Sequence, residues 1–311
     1  MPGPAKLIPF LLLVIFISAP FSAQDLSQAS PPEANAFLDV YFKQKETFVD
    51  DVRIDEIQIK NRKNIRAVAI EPIDAIPLHT AILLDISGSQ EGHAKEIRRL
   101  YEGIIQTLPL RTVDTARVIY FNERISALLN TTSSRELLLK GLDNIRFLGG
   151  TAVYDAIYYA SLTLAEYPGS RKIMIIISDG EDHDSSKSID EAYREAIANN
   201  IRVYMFVMGE VERKDFLFRS RGVEGYKKHK KHIEKTGGKA LLVSDLESAG
   251  EQFGHIMDEL SHLKRIPLCV DTSGKSASGL KISVTRKGVE AFYPSSPQSI
   301  AGKKCTIGSN R

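Results

Sequence analysis

Residues His79–Ser89 read HTAILLDISGS. The apolar run Ala81–Leu84 stops at Asp85, and two serines follow at alternate positions, Ser87 and Ser89. A short apolar run that ends in a Gly-containing polar loop reads as a buried parallel strand feeding a helix. In open α/β sheets, ligands bind outside the carboxyl ends of such strands. Asp85, Ser87 and Ser89 therefore stand at a candidate site, and each offers a hard oxygen atom. Oxygen-only ligation suits Mg²⁺, Ca²⁺ or Mn²⁺ and argues against zinc.

Two further stretches follow in order. Leu148–Ala152, LGGTA, puts Thr151 after a Gly-Gly turn and before a helix. Ile173–Asp182, IMIIISDGED, puts Asp179 at the end of a second apolar strand. Three loops thus deliver Asp85, Ser87, Ser89, Thr151 and Asp179. With these five residues the sequence resembles the von Willebrand factor A family, whose metal-ion-dependent adhesion site has this pattern. The resemblance extends over roughly Pro77–Leu263. It implies that the serines ligate a divalent ion directly, and that Thr151 and Asp179 exchange direct for water-mediated contact. It also implies that Asp85 anchors through waters or hydrogen bonds, and that a partner protein completes the shell with an Asp or Glu. Ser87 and Ser89 also suit a simple helix cap, but a cap does not require Thr151 and Asp179 on two other loops.

The surrounding pattern alternates strand and helix, the signature of a parallel sheet covered on both faces. Apolar residues Ile97, Leu100, Ile104, Ile105 and Leu108 recur at helical spacing after the first strand. Arg117–Phe121 reads as the next strand and Arg124–Leu129 as an antiparallel edge. Ser133–Leu142 reads as a helix capped by Ser133 with Glu136 three residues on. Helices are predicted over Thr151–Glu166, Ser188–Asn199, Lys227–Lys235 and Leu246–Leu263, with strands at Arg171–Ser178, Ile201–Met208 and Lys239–Val243. The fold class is α/β: a doubly wound, mostly parallel, Rossmann-like sheet with helices on both faces and small β additions at both ends.

The domain reading runs 1–23, 24–47, 48–76, 77–263 and 264–311. Residues 1–23 read as a signal peptide: Lys6, then the apolar core Leu7–Ile17, then small residues. That core falls short of the about 20 apolar residues a membrane span needs; an uncleaved anchor is the alternative. Residues 24–47 read as a flexible leader. Residues 48–76 read as a β-hairpin, with Val52, Ile54, Ile57 and Ile59 answered by Ile65–Ile70 across the polar KNRKN turn. Residues 264–311 read as a small β appendage. Similar segments flank the domain in the bacterial, exported branch of the family. Cys269 and Cys305 are the two cysteines; in an exported chain they suggest one disulfide closing a loop worth roughly 3–4 kcal/mol, two free thiols being the alternative.

A net charge of +2 points to neither nucleic acid nor membrane in bulk. Locally, Arg213–Lys239 is rich in Lys and Arg. With Glu181 and His183 it makes a candidate partner-binding rim of Arg219, Arg221, Lys227 and Lys228, or else an ordinary charged helix face. The acidic stretch Glu181–Asp184 reads as a second cation site, a rim, or a solvated helix start. Asn130-Thr131-Thr132 is a glycosylation sequon by pattern. No GxSxG, HExxH, P-loop or GxGxxG occurs, and no poised base is evident, which argues against an enzyme. The expectation is an exported (periplasmic, cell-surface or secreted) adhesion or protein-binding module that uses Mg²⁺, or Mn²⁺ or Ca²⁺. The alternatives are a structural subunit of an envelope complex with an idle site, and a metal-dependent hydrolase. A membrane role follows only if the leader stays as an anchor.

Overall fold

The computed structural model describes residues 34–60, 65–127, 131–142, 145–208, 221–243, 245–271, 280–300 and 302–305. In chain order the strands are β1 (Ala36–Gln44), β2 (Thr47–Phe48), β3 (Ile57–Lys60), β4 (Ile65–Ala67), β5 (Glu71–Pro72) and β6 (Leu78–Asp85). A 3-10 turn, Gly88–His93, leads into α1 (Ala94–Thr107), then β7 (Thr115–Phe121), β8 (Ile125–Ala127), α2 (Arg135–Lys140) and α3 (Val153–Ala165). There follow β9 (Arg171–Ser178), α4 (Ile189–Ala198), β10 (Ile201–Met208), α5 (Arg221–Lys235), β11 (Lys239–Val243) and α6 (Leu246–Ser261). The chain closes with β12 (Lys264–Val270), β13 (Lys281–Val284), β14 (Val289–Phe292) and β15 (Gln298–Ser299).

The central sheet has the order β11-β10-β9-β6-β7-β8. All its pairs are parallel except the edge strand β8, which runs antiparallel to β7. Alternate side chains of β6 serve opposite layers. Ile82 and Leu84 pack with α1, α2 and α6; Ala81 and Leu83 pack with α3, α4 and Ile233 of α5. The apolar run Ile173–Ile177 in β9 is buried throughout, each large side chain contributing about 1.5–3 kcal/mol. Chain order reverses between β6 and β9, so the crevice of this doubly wound sheet opens between the ends of those two strands. Those ends carry Asp85 and Asp179.

A second β unit lies at the opposite end of the domain, and it corrects two readings. Residues 24–47 contain a nine-residue strand, β1, at the centre of a seven-stranded sheet ordered β14-β1-β12-β4. Ala36, Phe37, Leu38, Val40, Tyr41 and Phe42 are all buried there, an apolar content no solvated leader sustains. The 48–76 hairpin does not form. β3 pairs with β13, Lys60 opposite Lys281, and β4 pairs with β12, Ile65 opposite Val270. β3 and β4 thus each pair with a C-terminal strand and not with each other, so both chain ends build one unit. Residues 54–56, read within that hairpin, form a 3-10 turn. Cys269 and Cys305 are disulfide-bonded with a Cα–Cα distance of 5.5 Å.

Smaller differences are local. Ser134, not Ser133, caps α2, accepting from the Leu137 amide at 3.3 Å. The basic helix read from Lys227 begins at Arg221. The signal peptide at 1–23, the sequon asparagine Asn130 and the rim residue Arg219 lie outside the described residues, as does the side chain of Arg221. Among the described residues no helix is long and apolar enough to cross a membrane.

Candidate metal centre

Asp85 closes β6 and is fully buried. Its Oδ1 accepts the Ser87 amide at 2.9 Å and its Oδ2 accepts the Ser178 hydroxyl at 2.6 Å. Burial pushes its carboxyl up to about 7, against the Ser178 and Ser87 hydrogen bonds, with the nearby Asp179 charge adding to the rise. The two-residue step from Asp85 to Ser87, and again to Ser89, follows from extended backbone entering the 3-10 turn. The Ser87 and Ser89 hydroxyls stand 3.1 Å apart. Ser89 donates to Asp179 Oδ2 at 2.8 Å, bridging ninety positions of sequence. Asp179 Oδ1 accepts the Glu181 amide at 3.0 Å.

Thr151 arrives on a third loop laced to the first by backbone hydrogen bonds. Gly88 N donates to Gly149 O at 3.0 Å and Leu148 N to Ile86 O at 2.9 Å. Two carboxylates close on the Gly-Gly turn, whose first residue lies in the left-handed region that favours glycine. Gly149 has φ +84°, and a Cβ there would stand 1.8 Å from Glu123 Oε2; one on Gly150 would stand 1.9 Å from Asp184 Oδ2. Thr151 is buried, and its carbonyl accepts the amides of His183 and Asp184 at 2.9 and 3.0 Å.

The acidic stretch after Asp179 is engaged with the start of α3. Asp184 Oδ2 accepts the Thr151 amide at 2.8 Å, Asp182 Oδ1 the Tyr154 amide at 3.3 Å, and the Ser185 hydroxyl the Asp155 amide at 3.1 Å. Ala152 precedes α3 with no side-chain cap of its own, so these side chains satisfy the orphan amides of the helix start. His183 is exposed and meets Thr151 only through its amide. Of the rim residues, Lys228 pairs with Glu181 at 2.8 Å, which holds its ammonium above the ordinary lysine range. Lys227 is exposed and stands 4.0 Å from Glu224.

The sequence reading singles out neither Ser178, whose hydroxyl donates to Asp85, nor His229. His229 is buried and burial pushes its imidazole down to about 4, so it is a neutral hydrogen-bonding group. The serine directly before Asp179 was a readable signal; nothing local marked His229.

Chemically, hydrogen bonds join Ser87 to Asp85 and to Ser89 and Ser89 to Asp179, and Thr151 is tied to the Asp179 loop through its backbone carbonyl. Among the described residues neither Asp85 nor Asp179 has a cationic side chain within ion-pair distance, and no group of three or more His, Cys, Asp or Glu side chains that could hold a metal ion occurs, in this crevice or outside it. A doubly wound α/β domain with an oxygen-lined crevice at its switch point is therefore the class of protein defined here. Residues 81–223 match the family model of the von Willebrand factor type A domain. The match covers less than half of the chain and shows a von Willebrand factor type A domain over those residues.

It is 27% identical over 180 residues to inter-alpha-trypsin inhibitor heavy chain H2 of Homo sapiens, covering 53% of this chain and 19% of that protein. It is 32% identical over 102 residues to integrin alpha-2 of Bos taurus, covering 30% of this chain and 8% of that protein. The chain thus spans less than a fifth of the length of either curated relative. A solved von Willebrand factor type A structure from Catenulispora acidiphila aligns with a TM-score of 0.49 at 13% identity, over 90% of this chain and 78% of that one. Domains of this family are commonly protein-binding modules.

Proposed function

We propose that this chain is an exported protein-binding module, not an enzyme, in which one divalent cation, Mg²⁺ or alternatively Mn²⁺ or Ca²⁺, joins the crevice to a partner's Asp or Glu. The observation that carries the reading is a pair of buried carboxylates with no cationic side chain within ion-pair distance among the described residues. Asp85 is 0% and Asp179 5% exposed, and buried charge of one sign calls for a compensating ion. Two carboxylates neutralise one divalent ion, and the hydroxyls of Ser87, Ser89 and Thr151 add neutral oxygens suited to a hard cation. Both Asp85 oxygens already accept hydrogen bonds, which fits an anchoring role behind the serines. Such a first shell leaves a coordination position for a carboxylate brought from outside. The disulfide supports an oxidising compartment, and hence export.

The test is capture from an extracellular or periplasmic extract with the intact chain as bait, in Mg²⁺ and then in chelator. A partner retained in Mg²⁺, released by chelator and not retained by Asp179→Ala supports the bridge. Capture indifferent to chelator and to Asp179→Ala contradicts it and favours a structural subunit with an idle site.

A further inference from the structure

Helix α5 rests on the loop that carries Asp179, and two of its contacts there are buried. Gly225 lies against the loop backbone: a Cβ at this position would stand 1.9 Å from the Asp179 carbonyl oxygen and 2.9 Å from Gly180 Cα. One turn later His229, fully buried, sets Nε2 3.1 Å from the Gly180 carbonyl oxygen and Nδ1 2.7 Å from the Tyr193 hydroxyl. A carbonyl only accepts, so Nε2 carries the proton and the Tyr193 hydroxyl donates to bare Nδ1. A directed chain of hydrogen bonds thus runs from Tyr193 on α4, through His229 on α5, to Gly180. Gly180 has φ +76°, a conformation that sets the direction in which the chain leaves Asp179. Asp179 in turn points Oδ2 at Ser89, 2.8 Å away.

We propose that His229, oriented by Tyr193 and admitted by the missing side chain of Gly225, is a positioning residue for Asp179. It pins the Gly180 carbonyl and so fixes the Asp179 carboxylate on the cation. The inference rests on the metal reading above. A purely apolar contact would fill the same space; a buried imidazole with both nitrogens engaged fixes direction as well as distance. Groups that orient a metal ligand typically contribute about 10–100-fold in affinity.

The experiment measures Mn²⁺ affinity and the metal-free melting temperature of the full chain for the wild type, His229→Leu, His229→Gln and Tyr193→Phe. Glutamine can present a donor to the Gly180 carbonyl; leucine cannot. Leucine is expected to weaken Mn²⁺ binding by about 10–100-fold, glutamine to recover most of that loss, and phenylalanine to fall between wild type and leucine. The affinity losses should not track the melting temperatures. Wild-type affinity in His229→Leu, or in Tyr193→Phe should the leucine variant not fold, overturns the proposal. A wild type that takes up no Mn²⁺ overturns the metal reading instead. Amide exchange at Gly180 and Glu181 then decides the pinning: faster exchange in Tyr193→Phe than in wild type supports it, and equal exchange refutes it.

Discussion

His229 and His79 are both held neutral, their imidazoles pushed down to about 4 by burial from an ordinary value of 6.5. A base whose folded pKa is depressed takes up its proton more readily in the unfolded chain. Its contribution to stability is therefore full above about pH 6.5 and is lost as pH falls toward 4. For the fully buried His229 the loss amounts to about 3 kcal/mol. Urea midpoints at pH 7.5 and 4.5 should differ more for wild type than for His229→Gln; equal differences would refute the burial of a neutral imidazole. A second residue-scale test lies where the two β units meet. Arg265 grips Asp39 with two hydrogen bonds of 2.8 and 2.9 Å, both side chains buried. Arg202 donates to the Asp39 carbonyl oxygen at 2.6 Å. Arg265→Met leaves a buried carboxylate without its partner and should cost about 3–5 kcal/mol in chemical denaturation, most of it recovered in Asp39→Leu/Arg265→Met. At this scale the candidate ligands were legible because each directly follows a strand or a Gly-Gly turn. Ser178, His229, Tyr193 and Asp39 were not, because their meaning depends on partners that lie far away in sequence.

Elements of the doubly wound sheet were readable for a related reason. Strands buried on both faces, such as Ile173–Ile177, are continuous apolar runs, and β6, β9 and β10 are each followed in the chain by an amphipathic helix. The outer β unit escaped reading because its ladders join the two ends of the chain, Ala36 opposite Leu268 and Ile59 opposite Ile282. No local turn signal announces such pairings, so β3 and β4 looked like each other's partners. The acidic stretch also changes meaning at this scale. Its side chains serve the start of α3, where negative charge and free amides attract each other. Asp184→Ala removes the acceptor of the Thr151 amide and should lower stability by about 1 kcal/mol in thermal melts, with Asp184→Asn retaining part of it. No change in either variant would show that the loop is solvated independently of the helix.

Across the whole molecule, the sheet's switch point lies at one end and the two-ended β unit at the other. The C-terminal tail is tied back to β12 by Cys269–Cys305, a separation of 36 residues. Reduction should lower stability by roughly 3–4 kcal/mol, seen as a fall in melting temperature that iodoacetamide-trapped thiols report in parallel. A melting temperature indifferent to reductant would mean that the β unit holds its tail by packing alone. The switch point carries the functional claim, and a cation that binds only the folded chain must stabilise it in proportion to its occupancy.

Calorimetric titration of Mg²⁺ or Mn²⁺ into the intact chain tests that claim most directly. One site per chain in the wild type, lost in Asp85→Ala and in Asp179→Ala while both variants stay folded, is the predicted result. No heat from the wild type, or binding by either variant equal to that of the wild type, would contradict it.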